Sequence, residues 1–81
     1  MAFVIEKELH RVPKSPNSSA FYKYQLAKVN GKPVVDVREH FTRKDGTEQY
    51  TAKGFSIPLE SFADVMVGFR DVHEKLREQL T

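Results

Sequence analysis

Apolar and polar residues alternate along the first two thirds of this chain and then change to a helical rhythm near Leu59. Residues 2–10 begin apolar and alternate weakly, which predicts a first strand. Residues 11–19 hold Pro13, Pro16, Asn17 and neighbouring serines, the composition of a loop. Residues 21–29 are rich in aromatics, which suit a pleated surface. Their two-residue period puts Tyr22, Tyr24 and Leu26 on one face and Phe21, Lys23, Gln25, Ala27 and Val29 on the other. Asn30-Gly31 then supplies the two positive-φ positions that a tight hairpin needs. Pro33, lacking an N–H, falls at the start of the third strand, where the loss is tolerated. Beyond it Val35 and Val37 point one way, and Lys32, Asp36 and Arg38 the other. Lys44-Asp45-Gly46 makes a second turn, and residues 47–57 return as a fourth strand with Gly54 at a bulge or kink.

From Leu59 the spacing is that of a helix. Phe62, Met66, Phe69, His73, Leu76 and Leu80 recur at intervals of three and four, and Val65 and Val72 widen the stripe. Pro58 and Glu60 suit a helix start. About 22 helical residues would extend roughly 33 Å, more than one small sheet needs as cover. The surplus seam predicts packing against a second copy, with Phe62, Met66, Phe69, His73, Leu76 and Leu80 in the dimer interface. The order is strand, strand, strand, strand, helix: an α+β domain over residues 1–81, with a four-stranded antiparallel sheet and a C-terminal helix. No internal repeat or low-complexity tract interrupts it.

Composition narrows the chemistry. With 81 residues and no cysteine, the chain has neither disulfide staples nor thiolate metal sites, so association is the remaining way to enlarge a small core. No apolar run approaches the ~18 residues of a membrane span, and the N-terminus is charged by Glu6, which argues against a signal peptide. A soluble intracellular protein is expected. Net charge is only +2, but it is unevenly placed. Residues 1–58 hold ten Lys/Arg against six Asp/Glu, whereas residues 59–81 hold three against five. The strand-rich part is therefore the basic part, which favours an anionic partner. His10, His40 and His73 have no metal-ligand spacing. Asp36 and Glu39 fall on opposite faces of one strand, so they make a poor acid–base pair, and Asp36 is better placed to orient Arg38. No phosphate loop or nucleophile motif is present. Neither an enzyme nor a cofactor is expected.

Residues 31–41 combine a turn, an aliphatic strand face, cations and the ring of Phe41. Such a segment can hold a single nucleic-acid strand, with charge tracking phosphates and a ring stacking on an unpaired base. In this order of elements, Gly31-Lys32, Val35-Asp36-Val37-Arg38-Glu39, His40-Phe41 and Lys53-Gly54-Phe55-Ser56-Ile57, followed by Glu60 and Phe62, resemble the transcriptional coactivator family called positive cofactor four. The resemblance covers roughly residues 20–80, and residues 2–10 loosely. It implies a curved sheet and helix that pair through both elements into a homodimer, with two basic channels holding antiparallel single strands. By resemblance Arg38 meets the backbone, Lys53 and Lys32 contact DNA, and Phe41 stands where the family stacks a tryptophan. Lys7, Lys14, Lys23, Arg43 and Lys44 complete the expected nucleic-acid-binding set, although any of these cations could equally solvate a sheet face.

Three positions depart from the pattern. A stacking aromatic of the family falls at Val29, a lysine at Asn30 and an arginine at Ala52; Phe21 or Tyr50 could replace the ring, and Arg43 and Lys44 the charge. The compact form resembles members from bacteria and their viruses, which implies a cytoplasmic location there and a nuclear one in a eukaryote. The expected function is sequence-independent binding of single-stranded DNA in replication, recombination, repair or transcription. An adaptor that recruits polymerase or replication proteins, and an RNA-binding protein, are the alternatives.

Overall fold

A computed structural model of the chain describes residues 3–80. Ala2, the first residue of the predicted first strand, lies outside the described residues. Four strands, β1 (Phe3–Pro13), β2 (Ala20–Val29), β3 (Lys32–Thr42) and β4 (Glu48–Pro58), form one antiparallel sheet in chain order. A 3-10 turn at Leu59–Ser61 leads into α1 (Phe62–Leu80). The four-strand-and-helix order is the one the alternation predicts.

The turns follow from local chemistry. Asn30 and Gly31 have φ of 52° and 81°, as a type I′ hairpin turn requires. Gly46, with φ of 88°, closes the β3–β4 turn, and its N–H donates to the Arg43 carbonyl at 2.9 Å. The Asp45 carboxylate accepts from both the N–H and the hydroxyl of Thr47, which holds its pKa below the ordinary value. Residues 14–19 are tied at both ends. The Lys14 N–H donates to the Ala20 carbonyl, and the Thr42 N–H to that of Ser19, each at 3.0 Å.

Bulges bend the sheet. Two lie on β1, between Ile5 and Lys7 and between Glu8 and His10, and β4 carries surplus residues opposite Glu39. The ladder sorts side chains onto two faces. Lys23, Gln25 and Ala27 pair with Arg38, Asp36 and Val34, and share the first face with Tyr50 and Ser56. Tyr22, Tyr24 and Leu26 pair with Glu39, Val37 and Val35, and share the second with Phe55 and Ile57.

The molecule is thin, 18 Å along its shortest axis. Only Phe21, Ala27, Val34, Val35 and Ile57 form its buried apolar core among the described residues, and no residue of α1 is buried. The helix meets the second face through Phe69, whose ring centroid lies 6.3 Å from that of Phe55. Met66, Phe69, Val72 and Leu76 remain about half exposed. The radius of gyration is 14.7 Å, against about 12 Å for a compact chain of this length. The accessible surface of 6418 Å² exceeds by about 1,400 Å² what a folded monomer of this mass presents.

Candidate nucleic-acid interface

The first face is the concave one. A hollow of about 570 Å³ opens on it, lined from β1 to β4 by Phe3, Ile5, Gln25, Asp36, Arg38, His40 and Tyr50. Arg38 lies in this hollow because it is an even number of residues from Asp36 on a two-residue repeat. Its Nε and Nη2 donate to the two Asp36 carboxylate oxygens at 3.2 and 3.0 Å, and Nη1 donates to the Thr51 carbonyl at 3.2 Å. Asp36, 1% exposed, also accepts the Ser56 hydroxyl at 2.8 Å. The predicted role of Asp36 in orienting Arg38 thus has its geometry. The same pair neutralises much of the arginine's charge, so Arg38 is a fixed fork of donors rather than a free cation.

At one end of the concave face four charges alternate. Arg11 bonds Glu8 at 2.7 Å and Glu48 at 3.0 Å, and Lys23 bonds Glu48 at 2.7 Å with Glu8 at 3.5 Å. Arg11 and Lys23 are direct cross-strand neighbours, a repulsive pairing that the two carboxylates offset. The Arg11 hydrogen bond, followed by the fields of Arg11 and Lys23, brings Glu8 down to about 2. Hydrogen bonds from Lys23 and Arg11 lower Glu48 as well, and those to Glu8 and Glu48 raise Arg11. Arg11 also lies over the Phe21 ring, 4.6 Å from its centroid, and Phe21 stacks on His40. Lys23 is 12% exposed and committed to these partners.

The other predicted cations fall elsewhere. Lys32 shares the concave face at the hairpin end and, like Lys7 and Lys44, has no ion pair among the described residues. Lys7 and Phe41 belong to the second face. Phe41, three residues from Arg38, is 36% exposed opposite Ala20. Near it Glu39 takes an ion pair from Lys14 at 2.6 Å, and Lys53 reaches the same carboxylate at 4.0 Å while 78% exposed. The Lys14 hydrogen bond lowers Glu39, and Glu39 raises Lys14 in return. Arg43 donates to Gln49 across the second turn, beside Lys44.

The predicted set thus divides. Lys23, Lys32 and Arg38 line the concave face, Lys7, Lys14, Phe41 and Lys53 gather on the second face or its rim, and Arg43 and Lys44 cap the β3–β4 end. Sequence reasoning missed Glu39 as the shared counter-ion of Lys14 and Lys53, and missed the Glu8–Arg11–Lys23–Glu48 square. Both depend on register, which no local motif encodes. It also passed over Gln25, whose alternation with Lys23 was the available signal. Among the described residues no group of three or more His, Asp or Glu is arranged to hold a metal ion, and no helix is long and apolar enough to cross a membrane.

A family model, Transcriptional Coactivator p15 (PC4), matches residues 17–68. That span takes in β2, β3, β4 and the start of α1, and leaves out β1. No curated protein and no solved structure matches the chain.

Proposed function

Because the chain belongs to the Transcriptional Coactivator p15 (PC4) family, we propose that it is a homodimeric protein that binds single-stranded DNA with little dependence on sequence. The family match over β2, β3 and β4 is the observation that carries this, since those strands build most of the concave face. DNA binding of the transcription-cofactor type is what family membership supports in general. Replication and recombination are the finer roles proposed for this compact member.

Backbone phosphates are held by Lys32 on the concave face, with Arg38 as an oriented donor, and by Lys44 at the β3–β4 end and Lys53 at the rim, 78% exposed though 4.0 Å from Glu39. Phe41 and Tyr50 offer exposed rings, at 36% and 68%. Stacking requires bare base faces, which a duplex hides, so single strands are preferred. The dimer rests on shape. An excess of about 1,400 Å² on each copy doubles to about 2,800 Å², inside the range of roughly 2,000–5,000 Å² that obligate homodimers bury, and the half-exposed seam of α1 supplies apolar surface for it.

Fluorescence anisotropy with oligo(dT), oligo(rU) and duplex at two salt concentrations tests this. If about four phosphates are neutralised, log affinity falls with log salt at a slope near −3. Lys53→Ala should weaken binding and flatten that slope by about 0.7. Phe41→Ala should cost about 1–3 kcal/mol with the slope unchanged. Equal affinity for duplex and single strand would refute the proposal, and preference for oligo(rU) would make RNA the ligand.

A further inference from the structure

Gln25 lines the concave hollow and is 7% exposed, yet its side-chain amide has no hydrogen-bond partner among the described residues. A carboxamide so deeply placed ordinarily finds one. Among the described residues no partnerless side-chain nitrogen or oxygen is sealed from solvent, so this amide opens onto the hollow it lines. Around it the groups are of three kinds. Phe3 and Ile5 make an apolar wall, Tyr50 and His40 present rings, and Arg38 keeps two of its five N–H groups beyond the bonds to Asp36 and Thr51. The His40 Nδ1 lies 3.1 Å from the Arg38 carbonyl and so donates to it, leaving Nε2 as an acceptor in the neutral ring.

A hollow with an apolar wall and a carboxamide that offers a donor and an acceptor side by side, flanked by the spare Arg38 donors, matches the edge of an unpaired nucleobase. At about 570 Å³ the hollow falls within the range of small-ligand sites and has room for a base with its sugar outside. A glutamine amide pairs in bidentate fashion with adenine, accepting from N6 and donating to a ring nitrogen. We propose that Gln25 reads an adenine base of the bound strand in this hollow, adding one base-selective subsite to an otherwise sequence-independent interface. The inference rests on the single-strand binding proposed above. The wall formed by Phe3 and Ile5 belongs to β1, outside the segment that matches the family, whereas Gln25, Arg38, His40 and Tyr50 lie within it.

The test compares an all-thymidine strand with the same strand carrying one central dA, by anisotropy titration. The wild-type protein should bind the dA strand about fivefold or more tightly, the lower bound for one bidentate base contact. Gln25→Leu keeps roughly the same volume and should remove the preference, binding the two strands equally. Gln25→Glu keeps only acceptors and should move the preference to a strand carrying one dC, whose N4 amino group donates. A role for Gln25 in folding alone would weaken all strands together and leave their ranking unchanged, which would overturn the proposal. So would equal binding of the two strands by wild type, or full displacement of the strand by excess adenosine monophosphate, which would make the hollow a free-nucleotide site. Failure to bind any strand would sink the DNA-binding proposal itself, and this one with it.

Discussion

Gly54→Ala should be among the most damaging single-methyl additions in this protein. Gly54 pairs with Arg38 across β3 and β4. A Cβ built there would stand 2.5 Å from the Val37 carbonyl oxygen, 2.7 Å from the Arg38 Cα and 3.0 Å from its Cβ. The two nearest atoms are backbone, so no side chain can swing away. Restoring ordinary contact needs the strands to part by about 0.9 Å. A ladder bond lengthened that far leaves hydrogen-bonding range, which costs about 1 kcal/mol for each bond lost. Overpacking strain adds roughly 1–3 kcal/mol. The sum is about 2–4 kcal/mol, and with a urea slope near 1 kcal/mol/M the midpoint should fall by about 2–4 M. Urea titration followed by circular dichroism, repeated at several protein concentrations because the stability of the proposed dimer would depend on concentration, measures it. The control is Gly68→Ala in α1, where a Cβ meets nothing within 4 Å and the better helix former should add up to about 1 kcal/mol. If Gly54→Ala moves the midpoint by less than about 0.5 M, the close approach of β3 and β4 is not as described.

Asp36→Ala should destabilise by about 3 kcal/mol, since it strands the Arg38 guanidinium beside an emptied, buried position; a urea midpoint unchanged from wild type would refute that pairing. Glu8, Glu39, Glu48 and Asp45 all have lowered pKa values in the folded protein. The unfolded chain therefore takes up protons first as pH falls, so their stabilisation is complete above about 4.5 and is lost below it, for Glu8 down to about 2. Thermal midpoints should be level from neutral pH to about 5 and then decline, and a level profile down to about pH 2.5 would count against the ion pairs. Phe69→Glu places a charge on the open seam where α1 meets Phe55. On the proposed dimer, sedimentation and circular dichroism should find unfolded monomer, because the buried core of one copy is small; a stable folded monomer would contradict a shared core.

Alternation was enough to place β2, β3, β4 and the helix, because each carries its own period and each hairpin its own turn chemistry. β1 was harder. It continues through Arg11 and Val12 to Pro13, residues whose composition indicates a loop. Pro13 is accommodated as the last residue of an edge strand, paired with Phe21. The bulges on β1 have no glycine to mark them. Pro58 and Leu59 start a 3-10 turn rather than an α-helix, which shortens α1 to 19 residues. Arg38 and Phe41, expected to act together on one bound strand, are three residues apart and so fall on opposite faces. The sharing of Glu39 by Lys14 and Lys53, like the Glu8–Arg11–Lys23–Glu48 square, required knowing which strands adjoin and in what register.

The bulges on β1 bear on a different hazard. This eleven-residue strand forms one border of the sheet, with Val4, Ile5 and Leu9 about half exposed. A straight strand of that kind would offer its free amides and carbonyls as a template for fibril growth. Twice along its length the hydrogen-bonding rhythm slips by a residue, so an incoming chain finds no run of evenly spaced groups to copy. The curvature that hollows one side of the sheet thus also guards the molecule against coagulating with itself.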